Sequence, residues 1–447
     1  MEIFKEVYLP SIILGVAAVL ILIFIIGGIV TANIRNAEAN LNATPTESVP
    51  TAEDLAVEQL LLDAENLVLT YDYEGAIELL NSFEGNKSAY PALVAKINEY
   101  TQAVNQLVAW SDPSEIVNLS FHGLIADTKA FKDQKYGNSY NRNFITIGEF
   151  QHILTFLYEN DYVLVNLSDI TTYEVNENGQ TVCRSKTLYL PAGKTPFMLT
   201  QTNLSYYTYM IDGNGDGLAD QNGAGFASKL IVDEDGNITC EMVNSLGETV
   251  TGDFDLVPIL ESFIAEHPEF SYKGARAILA PSGYDGIFGY RINASVKNTK
   301  GQAYYDSQVA GATQVVNALR EKGYTLACYT YNNIAYGKIS AGEILADLNQ
   351  WKAEIAPILG ETNILVFAQN SDIGNYSGTK FNVLQNAGFT CYLGFADYKS
   401  DSEIGSNYIA HNRLMVTGSK LAHSPVLFNG LFDAATVLDP IRGNIPE

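Results

Sequence analysis

The segment with the most specific chemical pattern is an acidic loop, Asp212-Gly-Asn214-Gly-Asp216-Gly-Leu-Ala-Asp220. Its D-x-N-x-D-G spacing lets oxygen ligands converge on Ca²⁺ around a glycine turn. The twelfth position of such a loop is Gly223, so the usual bidentate glutamate is missing, and Asp220 would replace it in part. Asp212, Asn214, Asp216 and Asp220 are therefore a candidate calcium site. The alternative is a solvated turn rich in Gly, Asn and Asp.

A second chemical question arises at residues 325–337, which read TLACYTYNNIAYG. An apolar run of β-branched and aromatic residues, typical of a buried strand, ends here in Tyr-Asn-Asn. In an α/β barrel, the C-terminal ends of the strands carry the chemistry. This strand end offers tyrosine and asparagine rather than histidine, aspartate or cysteine, so its residue types decide whether the protein is an enzyme.

Apolar strands alternate with amphipathic helices from residue 116 onward. Thr146-Ile-Gly-Glu149 and Ser340-Ala-Gly-Glu343 are capping boxes that start two of the helices. Strands are predicted at YVLVNL, KTPFMLTQT, ARAILAP, TLACYTY, NILVFA and FTCYLGF. This alternation indicates a parallel sheet with both faces covered. The predicted fold class is therefore α/β, a distorted (β/α) barrel with a groove formed by the loops at the strand ends.

The N-terminus predicts a membrane anchor. Residues 7–34 carry no charge and are long enough to span a hydrocarbon core of roughly 30 Å as a helix. We interpret them as a transmembrane signal-anchor, with cleavage after Val30-Thr31-Ala32 as the alternative. A polar linker follows at 35–50. The rest of the chain is expected outside the cell, on a single-pass anchor in the cell membrane.

Residues 51–112 predict a small helical module that resembles a single tetratricopeptide-like hairpin. One such unit cannot build a solenoid, because stacking needs neighbours. We expect a stalk, with peptide binding as the alternative. Residues 113–447 form the predicted barrel, with an insertion around 204–252. Within this insertion IVDEDGNITCEM predicts a β-hairpin with Asp-Gly in its turn.

The composition limits the partners. A net charge of -25 excludes nucleic acid as an expected partner and disfavours anionic lipid headgroups, since both need a basic surface. A sugar, a neutral polymer or a cationic partner fits better. Four scattered cysteines, Cys183, Cys240, Cys328 and Cys391, are too few for a disulfide scaffold. Pairing of Cys183 with Cys240 stays open.

Several segments together show a family resemblance. LSFHGLIADTKAFKD, YVLVNLSDI, FMLTQTNLSYYTYM, KGARAILAPSGYDGIFGYRIN and LREKGYTLACYTYNNIAYGKIS are similar to the membrane-anchored polysaccharide deacetylases of Firmicutes, in the NodB-homology group (carbohydrate esterase family 4). The likeness extends over the chain that follows the anchor. It implies a barrel of the polysaccharide deacetylase type. It also implies a metal-dependent hydrolase that removes N-acetyl or O-acetyl groups from glycans.

The resemblance also identifies positions for the family's catalytic residues. In that family two adjacent aspartates serve as general base and metal ligand, and two histidines hold a divalent metal whose water is the nucleophile. The aspartates correspond to Thr202 and Asn203, and the histidines to Tyr329 and Asn333. None of these four degenerate positions carries a charge. No metal cofactor is therefore expected at the former catalytic site.

These observations favour a pseudoenzyme that binds glycan without deacetylating it. Tyrosine faces bury the apolar C–H surfaces of sugar rings, and polar groups around them bond the hydroxyls. The expected partner is an envelope glycan, peptidoglycan or another acetylated polysaccharide. The substrate groove is predicted to contain Tyr206, Tyr207, Tyr284, Asp285, Arg291, Tyr331 and Asp372.

Two other functions stay open. An active but atypical N- or O-deacetylase would build its site from Asp285, Asp372 and a histidine near the C-terminus, His411 or His423. Arg413 lies beside these histidines without an assigned role. A structural or partner-binding envelope protein would instead use the helices of residues 51–112 as its contact surface.

Overall fold

The computed structural model describes residues 50–132, 135–175, 177, 179, 181–211, 225–244, 246–396 and 402–447. The predicted membrane helix, almost all of the linker and the four residues of the candidate calcium site lie outside these ranges. No helix within them is long and apolar enough to cross a membrane. The chain divides into two compact units between Glu58 and Gln59.

Three helices come first, α1 (Ala52–Leu69), α2 (Tyr73–Asn81) and α3 (Pro91–Val104). Asp72 caps α2, because its side chain accepts a hydrogen bond from the Gly75 amide at 3.2 Å. Pro91 starts α3, in the first-turn position where a missing N–H costs nothing. The bounds and caps thus follow from local sequence.

The remaining α-helices are interspersed with strands along the described chain. The helices are α4 (Gly137–Asn143), α5 (Ile147–Glu159), α6 (Leu167–Ile170), α7 (Leu256–Glu266), α8 (Ala294–Lys300), α9 (Gln302–Glu321), α10 (Ala341–Glu354), α11 (Ala356–Leu359), α12 (Gly378–Asn386), α13 (Gly418–His423) and α14 (Ala434–Val437). The strands are β1 (Val108–Trp110), β2 (Val117–Phe121), β3 (Tyr162–Leu164), β4 (Thr171–Val175), β5 (Thr181–Ser185), β6 (Leu188–Leu190), β7 (Thr195–Thr202), β8 (Lys229–Val232), β9 (Ile238–Val243), β10 (Thr249–Gly252), β11 (Ile278–Ala280), β12 (Thr325–Leu326), β13 (Ile364–Val366), β14 (Cys391–Leu393), β15 (Phe395–Ala396), β16 (Ser402–Ile404), β17 (Ile409–His411) and β18 (Arg413–Met415).

Parallel strand pairs form a closed ring around the core. Strand β2 pairs with β7, β7 with β11, and β11 with β12. A parallel bridge between Cys328 and Leu365 continues the sheet from β12 to β13. Strand β13 pairs with β14, β14 with β17, β15 with β18, and β18 with β2. Only Gly394 separates β14 from β15, and only Asn412 separates β17 from β18. The predicted α/β architecture with a parallel central sheet is confirmed.

The barrel is distorted at β7, where two strands share one partner. Residues 195–197 of β7 pair with β3, whereas residues 200–202 pair with β11. Seven of the eight residues of β7 are buried, which fits a strand covered on both faces. Because β3 takes the first half of β7 and β11 the second, the C-terminal end of β7 lies between those of β2 and β11.

The two capping boxes predicted in this region are confirmed. Thr146 Oγ1 accepts from the Glu149 amide at 3.1 Å, and Ser340 Oγ accepts from the Glu343 amide at 3.3 Å. Helix α5 then buries a stripe against the barrel at helical spacing. Its members are Phe150, Ile153, Leu154 and Leu157.

Two antiparallel additions flank the barrel. In the insertion, β8 pairs with β9 across the turn at residues 233–237, where Gly236 has a φ of 83° that favours glycine. Strand β10 extends this sheet by pairing with β9. Strands β4 and β5 form a second hairpin, which the sequence analysis did not predict.

A buried ion pair fixes the C-terminal segment to the barrel. Arg442 Nη1 lies 2.5 Å from Glu149 Oε2, and both side chains are fully buried. Glu149 also accepts from the amides of Thr146 at 2.8 Å and Asp439 at 3.0 Å. The carboxylate that caps α5 is thus the same one that anchors the last turns of the described chain.

Arg442→Ala is expected to lower the free energy of unfolding by about 3–5 kcal/mol, because it leaves the buried Glu149 carboxylate without its cation. Urea denaturation of the full-length chain measures this. The matched control is Lys194→Ala, which removes an ion pair to Asp161 whose side chains are 27% and 61% exposed. Its expected cost is about 0–1 kcal/mol. Equal losses in the two variants would contradict the assignment.

Candidate functional site

The C-terminal ends of the barrel strands bring a group of polar side chains together. Thr202 is the last residue of β7, and Asn203 follows it. Asn333 lies in the loop after β12, and Gln369 follows β13. His122 comes directly after β2 and joins them. We call these five residues the strand-end group.

Hydrogen bonds connect the strand-end group from one strand to the next. His122 Nδ1 lies 2.8 Å from Thr202 Oγ1 and 3.2 Å from Asn203 Nδ2. Asn203 Oδ1 accepts from Asn333 Nδ2 at 3.4 Å. Gln369 Nε2 then donates to Asn333 Oδ1 at 3.3 Å. The result is a row of amides across the strand ends.

The same network assigns the tautomer of His122. Asn203 Oδ1 accepts from Asn333 and from the hydroxyl of Tyr207 at 3.3 Å, so its Nδ2 donates toward the imidazole. His122 Nδ1 is therefore an acceptor, and the ring proton is on Nε2. His122 can offer a ligand an N–H donor but no free lone pair.

Sequence reasoning missed His122, although the segment LSFHGL was in view. The position of His122 could have indicated a site residue, since His122 directly follows the five buried residues of β2. Burial, and then the nearby charge of Arg413, lower the pKa of His122 to about 4. The imidazole is therefore neutral at neutral pH and is a weak base.

A buried arginine lies beneath the strand-end group. The side chain of Arg413 is fully buried. Its Nη1 donates to Ser120 Oγ at 2.9 Å, and its Nη2 donates to the Phe367 carbonyl at 3.0 Å. The guanidinium carbon lies 5.0 Å from the centre of the Phe395 ring. Burial lowers the pKa of Arg413 to about 10, so it is charged at neutral pH.

These residues do not fit the divalent metal that the family resemblance implies. Thr202, Asn203, Tyr329 and Asn333 are neutral, and burial raises the pKa of Tyr329, which keeps its phenol protonated. The guanidinium of Arg413 opposes a second cation nearby. Across the described ranges, no three side chains of His, Cys, Asp or Glu converge as a metal site would need.

The backbone around the group is held in unusual conformations. Six non-glycine residues at these strand ends have positive φ, namely Asn203, Tyr206, Thr330, Asn333, Gln369 and Asn370. Thr330 has a φ of 59°. Because its side chain is β-branched, the backbone strain of this conformation is greatest at Thr330. Such strain costs of order 1–3 kcal/mol per residue and persists where surrounding contacts impose it.

The carboxylate of Asp347 on α10 imposes the conformation of the loop after β12. It accepts hydrogen bonds from the Tyr331 amide at 2.7 Å and the Asn332 amide at 2.9 Å. It also accepts from the Tyr336 hydroxyl at 2.7 Å. Asp347 is buried, so these bonds form away from water. They fix the position of Asn333 within the same loop.

One aromatic side chain of the predicted groove is open to solvent. Tyr284, which follows β11, is 47% exposed. Its ring centre lies 5.5 Å from that of Tyr207, which stacks on Tyr209 at 5.4 Å. Tyr207 itself is buried, and its hydroxyl bonds Asn203 and Ser282. Tyr207 therefore supports the group from below, and Tyr284 presents a face to a ligand.

Two other predicted groove residues lie in the core instead. Tyr206 is buried and its hydroxyl donates to Asp255 at 2.5 Å. Tyr331 is buried and its hydroxyl donates to Glu354 at 2.7 Å. The physical reason is that each phenol donates a hydrogen bond to a carboxylate of the protein itself, Asp255 or Glu354. Neither side chain is available to a ligand in this structure.

The charged residues of the predicted groove have structural partners. Arg291 donates to the carbonyls of Ser205 at 2.9 Å and Asp285 at 2.6 Å. Asp285 accepts from the Thr208 amide at 2.7 Å and lies 3.4 Å from Arg291. Asp372 accepts from the Gly374 amide at 2.7 Å. These contacts shape the loops that carry the two aspartates.

The two C-terminal histidines are also engaged. His411 Nδ1 bonds Ser402 Oγ on the neighbouring strand β16. His423 Nε2 donates to the Ile445 carbonyl at 2.9 Å. Of the five histidines in the chain, His122 is the one that the structure joins to Thr202 and Asn203.

Comparison with known proteins gives a weak structural likeness and no sequence match. No protein-family model matches the chain, and no curated protein matches it. Among solved structures, the chain is similar to a Streptococcus pyogenes deacetylase, PplD, in complex with acetate. The TM-score is 0.36 and the identity 9%, over 68% of this chain and 92% of the other.

Arg413→Met is expected to raise the pKa of His122 from about 4 partway toward its ordinary value of about 6.5, because it removes a nearby positive charge. Arg413→Lys, which keeps the charge, is the matched control and should leave the pKa low. The imidazole resonances of the full-length chain, followed by NMR over pH, measure both. An unchanged titration in Arg413→Met would contradict the influence of the guanidinium.

The low pKa of His122 also predicts a pH dependence of stability. As the pH falls, the unfolded chain takes up this proton near pH 6.5, whereas the folded chain does so only near 4. The free energy of unfolding should therefore fall between these values. His122→Gln should lose roughly 2 kcal/mol less over that interval. Parallel curves in urea titrations of the two proteins would contradict the shift.

Proposed function

We propose that this protein is a cell-surface, polysaccharide deacetylase-like protein that binds envelope glycan without metal-dependent deacetylation. In this proposal residues 7–34 anchor the chain in the membrane and the barrel faces the envelope. The ligand is an acetylated polysaccharide that lies across the strand-end group and against Tyr284.

The observation that carries the proposal is the exposed Tyr284 ring beside a row of amides. The face of an aromatic ring buries the apolar C–H surface of a pyranose. The amides of Asn203, Asn333 and Gln369 supply donors and acceptors of the kind that sugar hydroxyls and acetamido groups need. His122 Nε2–H adds one donor at the end of the row where His122 contacts Asn203.

The charge distribution favours an acetamido sugar over a cationic ligand. The buried guanidinium of Arg413 makes the potential under the strand-end group positive, so it attracts the negative end of a carbonyl dipole. An acetamido oxygen offers such a dipole without carrying a full charge. A fully anionic polymer would be repelled by the net charge of -25 on the whole chain.

The same residues argue against hydrolysis. Deacetylation needs a base that removes a proton from the attacking water. His122 Nδ1 already accepts hydrogen bonds, its Nε2 holds a proton, and its low pKa makes it a poor base. Within the strand-end group there is no carboxylate to take its place. The arrangement therefore fits binding better than turnover.

The central test incubates the purified full-length chain with acetylated chitooligosaccharides and with peptidoglycan. Bound ligand, released acetate and metal content are measured on the same sample. The proposal expects binding, no acetate, and no effect of a chelator. Acetate release together with stoichiometric zinc would establish an atypical deacetylase instead. The absence of both binding and acetate would favour a structural or partner-binding protein.

A single substitution localises the binding. Tyr284→Ala is expected to weaken affinity for chitooligosaccharides about tenfold, because it removes roughly 1.4 kcal/mol of ring contact. The matched control is Tyr189→Ala, since Tyr189 is 50% exposed on β6 and lies outside the strand-end group. Calorimetric titration gives both dissociation constants. Equal affinities for the two variants would place the ligand elsewhere.

A further inference from the structure

Two cysteines that are far apart in sequence meet in the fold. Cys183 lies on β5 of the β4–β5 hairpin, and Cys391 begins strand β14 of the barrel. Their Sγ atoms are 3.8 Å apart, although 208 residues separate them in the chain. Both are buried and neither is in a disulfide. The hairpin and the barrel strand therefore bring two thiols into contact.

The remaining cysteines lie in different surroundings. Cys240 lies on β9. Burial, and then the nearby Asp255, raise the pKa of the Cys240 thiol. Cys328 follows β12 in the barrel wall, and burial raises its pKa. The pairing of Cys183 with Cys240, left open by the sequence, is not the one that the structure brings into contact.

A tyrosine hydroxyl lies beside the Cys183–Cys391 pair, which otherwise belongs to an apolar cluster of the core. The Tyr173 hydroxyl lies 3.0 Å from Cys391 Sγ, and Tyr173 is opposite Cys183 in the hairpin register. A thiolate is the attacking species in thiol chemistry. The thiol that loses its proton first is therefore the nucleophile, and the other, 3.8 Å away, is the resolving thiol.

The geometry permits a bond after small side-chain movements. A disulfide needs a sulfur–sulfur distance of about 2.0 Å and Cβ atoms about 3.5–4.5 Å apart. The sulfurs must therefore approach by less than 2 Å from their separation of 3.8 Å. Rotation about the two Cα–Cβ bonds moves sulfur atoms on that scale without a shift of the backbone.

We propose that Cys183 and Cys391 are a cross-linking site that is oxidised to a disulfide by exchange with an external disulfide. The thiolate of one cysteine attacks one sulfur of the oxidant and displaces the other as a thiolate. The second cysteine then loses its proton and attacks the sulfur of the first, which releases the second thiolate. The oxidant gains two electrons and both thiol protons, and one sulfur–sulfur bond forms in the protein.

The cross-link would join the β4–β5 hairpin to the barrel wall. A hydrogen bond from Arg184 Nη1 to the Ser406 carbonyl already joins the hairpin to the segment between β16 and β17. Because the disulfide closes a loop of more than 200 residues, it removes much conformational freedom from the unfolded chain. The expected result is a melting temperature that is several degrees higher in the oxidised protein. This inference does not depend on the proposed function.

The test refolds the full-length chain from denaturant with oxidised or reduced glutathione, so that burial does not limit access. Thiols are then counted by maleimide labelling under denaturing conditions, and the cross-linked peptides are identified by mass spectrometry. The expected oxidised product has lost the thiols of Cys183 and Cys391, retains those of Cys240 and Cys328, and has a mass lower by about 2 Da. Four reactive thiols, or a cross-link through another cysteine, would overturn the proposal.

Single variants test whether both thiols take part. Cys391→Ser should retain a glutathione adduct on Cys183, and Cys183→Ser should retain one on Cys391, because each variant lacks the thiol that resolves the adduct. Cys240→Ser and Cys328→Ser are the matched controls, and both should still form the bond and show the rise in melting temperature. A stable glutathione adduct on Cys183 in the unaltered chain would show that Cys391 is out of reach and would overturn the proposal.

Discussion

The buried positive charge of Arg413 is the constraint on which the rest of the site depends. A guanidinium inside a barrel must be hydrogen-bonded, and here the β2 strand and the segment after β13 supply Ser120 and the Phe367 carbonyl as acceptors. Burial lowers the pKa of His122, and the electrostatic field of Arg413 lowers it further. The same field opposes a second cation at the strand ends. A positive charge at this depth attracts groups with partial negative charge, and the side chains above it include amides and a neutral imidazole.

The rigidity of the strand ends complements this electrostatic arrangement. Backbone at Thr330 and Asn333 is in the left-handed region, where an unsupported loop would relax. Asp347 prevents relaxation by accepting hydrogen bonds from Tyr331, Asn332 and Tyr336. The Asp347 carboxylate therefore holds a loop in place, and the amides of Asn203, Asn333 and Gln369 hydrogen-bond one another.

Local patterns in the sequence predicted the architecture well, because capping boxes and apolar periodicity act over a few residues. Thr146 and Ser340 start helices where the sequence placed them. The direction of a single side chain depends on contacts that are distant in sequence, and there the sequence was insufficient. Tyr206 turns inward because it meets Asp255 from 49 residues away. His122 was missed for the same reason, since its partners Thr202 and Asn203 are about 80 residues further on.

The bond between Glu149 and Arg442 has a consequence for biosynthesis. The two residues are 293 positions apart, and ribosomes add roughly 5–20 residues per second. After Glu149 has been synthesised, about 15–60 s therefore pass before Arg442 is added to the chain. The first barrel strand, β2, waits as long for its partner β18. During that time one edge of β2 lacks its partner strand, and an unpaired strand edge exposes a nascent chain to aggregation.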